Sequence, residues 1–99
     1  MHACEAETSM MMALEPNLVV DSLLNEAKGP MKLDFLNAGK GSYRWRSLTH
    51  VTSNGVIGDP SQSSSAKGEQ LLQEASQAIF ELICNPDTFK LQSEFRLPE

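Results

Sequence analysis

Ninety-nine residues, 40% of them apolar, with a formal net charge of -5, fit one globular domain of soluble type or part of one. Thirteen acidic residues against eight basic ones argue against a phosphate-binding surface as the main function, so no nucleic-acid partner is expected. No apolar run approaches a transmembrane span, so no membrane partner is expected either. The start, with Glu5 and Glu7, lacks a signal peptide's basic region, and Cys4 and Cys84 have no framework spacing. A cytoplasmic chain with reduced thiols fits best, a Cys4–Cys84 disulfide being the other state of the pair.

Residues 5 to 14 read as a helix. Met and Ala favour helix, Met10, Met11 and Leu14 recur at helical spacing, and Pro16 sets a stop. The methionine cluster reads as core packing. Residues 18 to 28 predict a second short helix with Val19, Leu23, Leu24 and Ala27 on one side, broken by Gly29-Pro30. Residues 31 to 42 have loop composition. Asn37-Ala38-Gly39-Lys40-Gly41 lacks the glycine and Lys-Ser/Thr spacing of a phosphate cradle.

Residues 43 to 51 predict a strand, with Tyr43 and Trp45 on one face and Arg44 and Arg46 on the other. Lys40, Arg44 and Arg46 read as a solvated basic face. Asn54-Gly55 and Asp59-Pro60 mark turns around Val56-Ile57. A serine-rich loop, 61 to 65, offers Ser64 or Ser65 as an N-cap. The clearest helix runs from 66 to 84, with Leu71, Leu72, Ala75, Ala78, Ile79, Leu82 and Ile83 on one stripe. Asn85-Pro86 ends it. Phe89, Leu91, Phe95 and Leu97 then alternate, as in an edge strand, a docking segment or a loose tail.

Helix, strand and helix in alternation predict an α/β arrangement. Two or three strands do not complete a doubly wound sheet, so the remaining strands are expected to come from outside this chain.

Two segments carry the chemistry. His2-Ala3-Cys4-Glu5-Ala6-Glu7-Thr8-Ser9 puts an imidazole and two carboxylates at a helix start. Gly55-Val56-Ile57-Gly58-Asp59-Pro60 is followed by Lys67-Gly68-Glu69. From spacing alone, His2 reads as a solvated histidine and Glu5 and Glu7 as partners of the helix dipole. One His and two Glu fall short of a two-metal site. His50 reads as a strand residue, and Cys4, with no orienting third group, as a small buried side chain.

Together the two segments resemble the creatininase (creatinine amidohydrolase) family. Residues 2 to 19 look like its His-Ala-Gly-Glu-x-Glu-Thr-Ser block and the Leu-x-Pro-x-Leu-Val that follows. Residues 52 to 69 look like its Gly-Val-x-Gly-Asp-Pro loop and Lys-Gly-Glu helix start. The resemblance implies a larger α/β subunit, often in homohexamers, that hydrolyses cyclic or linear amides with two divalent metals such as Zn and Mn. It implies that His2 is the catalytic histidine near the substrate, that Glu7 is the acidic residue facing the metals, and that Asp59 belongs to a structural turn. An imidazole suits proton transfer at neutral pH.

Cys4 stands where glycine is commoner. The family's Glu-x-His, Asp and His-x-Glu metal ligands have no counterpart here. The expectation is therefore a C-terminal segment, 1–99, of a creatininase-like domain, with 85–99 as a tail. Such a segment holds no metal pair and is inactive without an N-terminal half. A non-enzymatic interaction module, using the long helix and apolar tail, and a degenerate remnant of the family are the alternatives.

Overall fold

The computed structural model describes residues 2–33 and 37–90. The first helix, α1, is Glu5–Leu14. Its start is fixed from within: Glu7, in the first turn, reaches back to the N-cap residue Cys4 and accepts its backbone N–H at 3.1 Å, half of a capping box. Glu15 leaves the helical region, and Pro16 opens a 3-10 turn, Pro16–Leu18.

A second 3-10 turn follows at Asp21–Leu23. The helix expected over 18–28 is therefore replaced by two short turns with Val19 extended between them. Adjacent Val19 and Val20 disfavour a continuous helix, being β-branched. The break brings Leu23, Leu24 and Ala27 to the same open groove as Met11 of α1.

β1, Asn37–Gly39, pairs antiparallel with β2, Ser42–Tyr43. This hairpin is the whole sheet among the described residues. The strand expected over 43–51 extends no further than Tyr43. Leu48–Val51 forms a single helical turn, α2. Ser47 explains the change, because its hydroxyl engages Thr49 at 3.1 Å and the His50 Nδ1 at 2.6 Å. Such local hydroxyl bonds favour a helix start over a strand. His50 thus lies in a helical turn instead of a strand, and Arg44 and Arg46 lie outside the sheet.

The last helix, α3, is Ser65–Cys84, one residue longer at its start than the periodicity predicts. Ser64 is its N-cap and accepts the Lys67 N–H at 3.3 Å. Beyond it Asn85 Oδ1 accepts the Asp87 N–H, and Thr88 donates to the Leu82 carbonyl. This closes a turn where an edge strand was one expectation. The remainder of that expected segment, 91–99, lies outside the described residues.

The described chain is helix-rich, and the sheet of an α/β arrangement is not found among the described residues. α1 and α3 form the main packing. The buried centre is small: Val56 and Ile57 are the buried hydrophobics, and Pro60 and Ser9 are fully enclosed. A ten-residue helix spans about 15 Å and a twenty-residue one about 30 Å, so α1 cannot cover all of α3. The consequence is visible at the far end, where Ile79, Phe80, Leu82 and Ile83 are each at least 58% exposed.

Candidate functional site

The two segments singled out in the sequence meet in space at both of their ends. At one end His2 and Ile57 form an isolated antiparallel bridge. His2 N–H donates to the Ile57 carbonyl at 3.1 Å, and Ile57 N–H donates to the His2 carbonyl at 2.8 Å. At the other end the backbones of α1 and α3 touch. A Cβ on Gly68 would sit 1.9 Å from the Ser9 carbonyl oxygen, so only glycine permits this crossing. The Ser9 hydroxyl, fully buried, accepts the Ser64 N–H at 3.1 Å. Ser63 Oγ donates to the Glu5 carbonyl at 3.2 Å, and Lys67 Nζ pairs with Glu5 at 2.6 Å.

The loop between these ends is built from its own polar groups. Asn54 Oδ1 accepts from Thr52 Oγ1 at 2.9 Å and from Val56 N–H at 3.0 Å. Its Nδ2 donates to the Lys28 carbonyl at 3.0 Å. Gly58, at φ +124°, turns its carbonyl to accept the Gly29 N–H at 3.0 Å. Asp59 then accepts the Ser61 N–H at 2.8 Å and meets Lys28 Nζ at 3.1 Å. Those bonds, Ser61 first and Lys28 less, hold its carboxyl well below the usual 3.8, at about 2. Asp59 is spent on shaping the turn, the role its motif suggests.

His2 and Glu7 flank Cys4 but are engaged separately. His2 is exposed and held through its backbone. Ala3, next to it, has φ +48°, a left-handed conformation unusual for a residue with a Cβ and typical of constrained sites. The Glu7 carboxylate is occupied by Cys4, accepting from both its N–H and its Sγ at 3.1 Å. The thiol's hydrogen bond is the largest of the effects that keep the Glu7 carboxyl below its usual range. Among the described residues no hydrogen bond joins the His2 imidazole to Glu7.

Glu7 lines an apolar groove of about 350 Å³ together with Ala3, Met11, Leu23, Leu24 and Val56. A lone carboxylate on an apolar wall suits a compact ligand with one donor or cationic edge. Among the described residues no three His, Cys, Asp or Glu side chains are grouped to hold a metal ion, and Glu7 is already bonded to Cys4. The donor set present does not fit a metal centre by itself. Cys4 and Cys84 are both free thiols.

Sequence reasoning singled out His2, Glu7 and the Asp59 turn. It missed the joints: Ser9, Ser63, Asn54, the Glu5–Lys67 pair and the contact under Gly68. Ser9 closes the first motif, and its place just before the methionine run was the signal it offered.

The turn at Gly58 and the α1–α3 crossing at Gly68 thus stand beside a groove that carries the Glu7 carboxylate. The creatininase family, described as creatinine amidohydrolase, matches residues 1–83. The chain belongs to that family. No curated protein matches it, and no solved structure does. No described helix is long and apolar enough to cross a membrane.

Proposed function

We propose that this chain contributes one wall of the active site of a metal-dependent amide hydrolase of the creatininase family, acting in the cytoplasm on creatinine or a related amide. The observation that carries the proposal is the joint itself. The two family-like segments meet at His2–Ile57 and at Ser9–Gly68, which supports the reading that they act together around His2 and Glu7.

In this reading His2 is the proton shuttle beside the substrate, and Glu7, which accepts from Cys4 in this chain, would be one of the residues that hold the metals once the site is complete. The metals, Zn or Mn in the family, would polarise the amide carbonyl and activate water. Their remaining ligands come from a complementary N-terminal half, in the same polypeptide or in trans. The creatininase-like α/β sheet is completed by the same half, which also covers the exposed end of α3. The isolated chain is then inactive.

Calorimetry with Zn or Mn tests this. The chain alone is expected to show no tight binding, and to enter a metal-loaded complex when an N-terminal half of a family enzyme is supplied. Tight metal binding by the chain alone would overturn the need for that half.

A second reading, a non-enzymatic interaction module descended from the family, is favoured by the uncovered apolar end of α3. A folded chain that never restores metal binding to a complementary half would select it.

A further inference from the structure

The groove that holds Glu7 follows one face of α1. Glu7 and Met11, four residues apart, are neighbours on that face, about 6 Å from each other along the helix axis. Ala3, the neighbour of His2, precedes them in the same lining. The wall opposite is made by Leu23, Leu24 and Ala27, which the break in the chain at Val19 and Val20 brings there.

Polar groups are few in this lining. Glu7 is its one ionisable side chain. The Thr8 hydroxyl is turned away onto the Ala3 carbonyl, at 3.4 Å. Both donors of Cys4 fall on a single Glu7 oxygen, Oε2, and a carboxylate accepts more hydrogen bonds than two. One acceptor therefore stands at the His2 end of an otherwise apolar trough. Sites that enclose drug-sized ligands measure about 300–1,000 Å³, and this groove has about 350 Å³. Creatinine, a single small ring with one methyl group, fills only part of it and leaves Met11, Leu23 and Leu24 in water.

Given the amide-hydrolase reading of His2 and Glu7, on which this rests, we propose that the groove receives an apolar side group of the substrate. The substrate class is then an amide carrying a branched aliphatic or aromatic substituent, larger than the methyl of creatinine. Its N–H edge lies on Glu7, and its apolar group lies between Met11 and the Leu23–Leu24 wall. Met11, Leu23 and Leu24 become the specificity-determining residues. The competing occupant is a segment of the complementary half. Its apolar side chains would fill the trough but take the Glu7 carboxylate out of water, which is costly unless a donor comes with them. An amide with an apolar substituent supplies both at once.

Titration of the full chain with two small amides, followed by backbone amide NMR shifts, tests this without metal or hydrolysis. The probes are N-acetyl-leucinamide and N-acetyl-glycinamide, which differ by one isobutyl group. The leucine probe is expected to bind about tenfold or more tighter, as burial of that group should give. The shifts are expected at Met11, Leu24, Ala27 and Val56. Leu23→Ser, at a position 52% exposed and with the fold checked by circular dichroism, is expected to remove most of the preference. Ile79→Ser, on the uncovered end of α3, is expected to leave it unchanged. Equal affinity for the two probes, no binding of either, or shifts centred on Ile79 to Ile83 overturns the proposal. So does leucine-probe binding that is lost when an N-terminal half joins the chain, because the groove then belongs to the joint between the halves. Selective binding by a chain that never completes an active complex would instead count against the catalytic reading, so the two failures are distinct.

Discussion

Gly68 lies against the Ser9 carbonyl so closely that a Cβ there would come within 1.9 Å of the oxygen and 2.9 Å of the Met10 nitrogen. The obstacle is backbone, which cannot swing aside as a side chain can. Gly68→Ala must therefore push α3 off α1. Overpacking of this kind costs about 1–3 kcal/mol and sometimes more. Urea unfolding should therefore show the midpoint lowered, although alanine is the better helix former.

Ser9 carries the polar half of the same joint. Ser9→Ala raises helix propensity and nearly keeps the volume, but leaves the Ser64 N–H without its 3.1 Å acceptor. A donor left unpaired costs about 1–3 kcal/mol. Ser9→Thr retains the hydroxyl but adds a methyl to a fully enclosed position, so it should destabilise too, through crowding. Thermal melts of the two variants check both outcomes.

Lys67 and Glu5 make an ion pair between the two segments, 2.6 Å, yet both side chains are about half exposed. Exposed pairs contribute about 0.2–1 kcal/mol. Lys67→Met should therefore cost far less than Gly68→Ala next to it, and the difference from wild type should shrink in high salt. An equal loss for the two substitutions would show that the ion pair, not the backbone contact, holds the joint.

Asp59 gives the turn a pH dependence whose sign is fixed. Its pKa is lowered on folding, from 3.8 to about 2, so the folded state favours the ionised form. The stabilisation is complete above the unfolded value and is lost as pH falls from about 4 towards 2. Asp59→Asn should remove that part of the acid sensitivity between pH 5 and 2. Chemical denaturation at stepped pH reads it directly.

The sequence showed the two long helices because their signals are local. Ser64 caps α3, Pro16 stops α1, and the apolar period of α3 is sustained over its length. It showed the Asp59 turn for the same reason. Residues 43–51 misled because Tyr43, Trp45 and Val51 have strand composition, whereas β2 itself ends after two residues and Ser47 nucleates a helical turn on Thr49 and His50. Residues 18–28 misled because apolar spacing suggested a helix that Val19 and Val20 interrupt. The segments that hold Ser9 and Gly68 were singled out by motif, but their backbone contact was not legible: a contact between residues so far apart in the chain leaves no periodic trace. His2 and Glu7 were found through the motif that contains them, not through their spacing.

The central claim is that His2 and Glu7 belong to an amide-hydrolase site that a complementary half completes. The most direct measurement is creatinine hydrolysis by the purified complex of this chain with the N-terminal half of a creatininase-family enzyme, loaded with Zn or Mn. The account predicts activity that neither part has alone, reduced about a hundredfold or more by His2→Ala and similarly by Glu7→Gln, with the complex intact. Activity indifferent to both substitutions, or a metal-loaded complex that hydrolyses neither creatinine nor related amides, would contradict it.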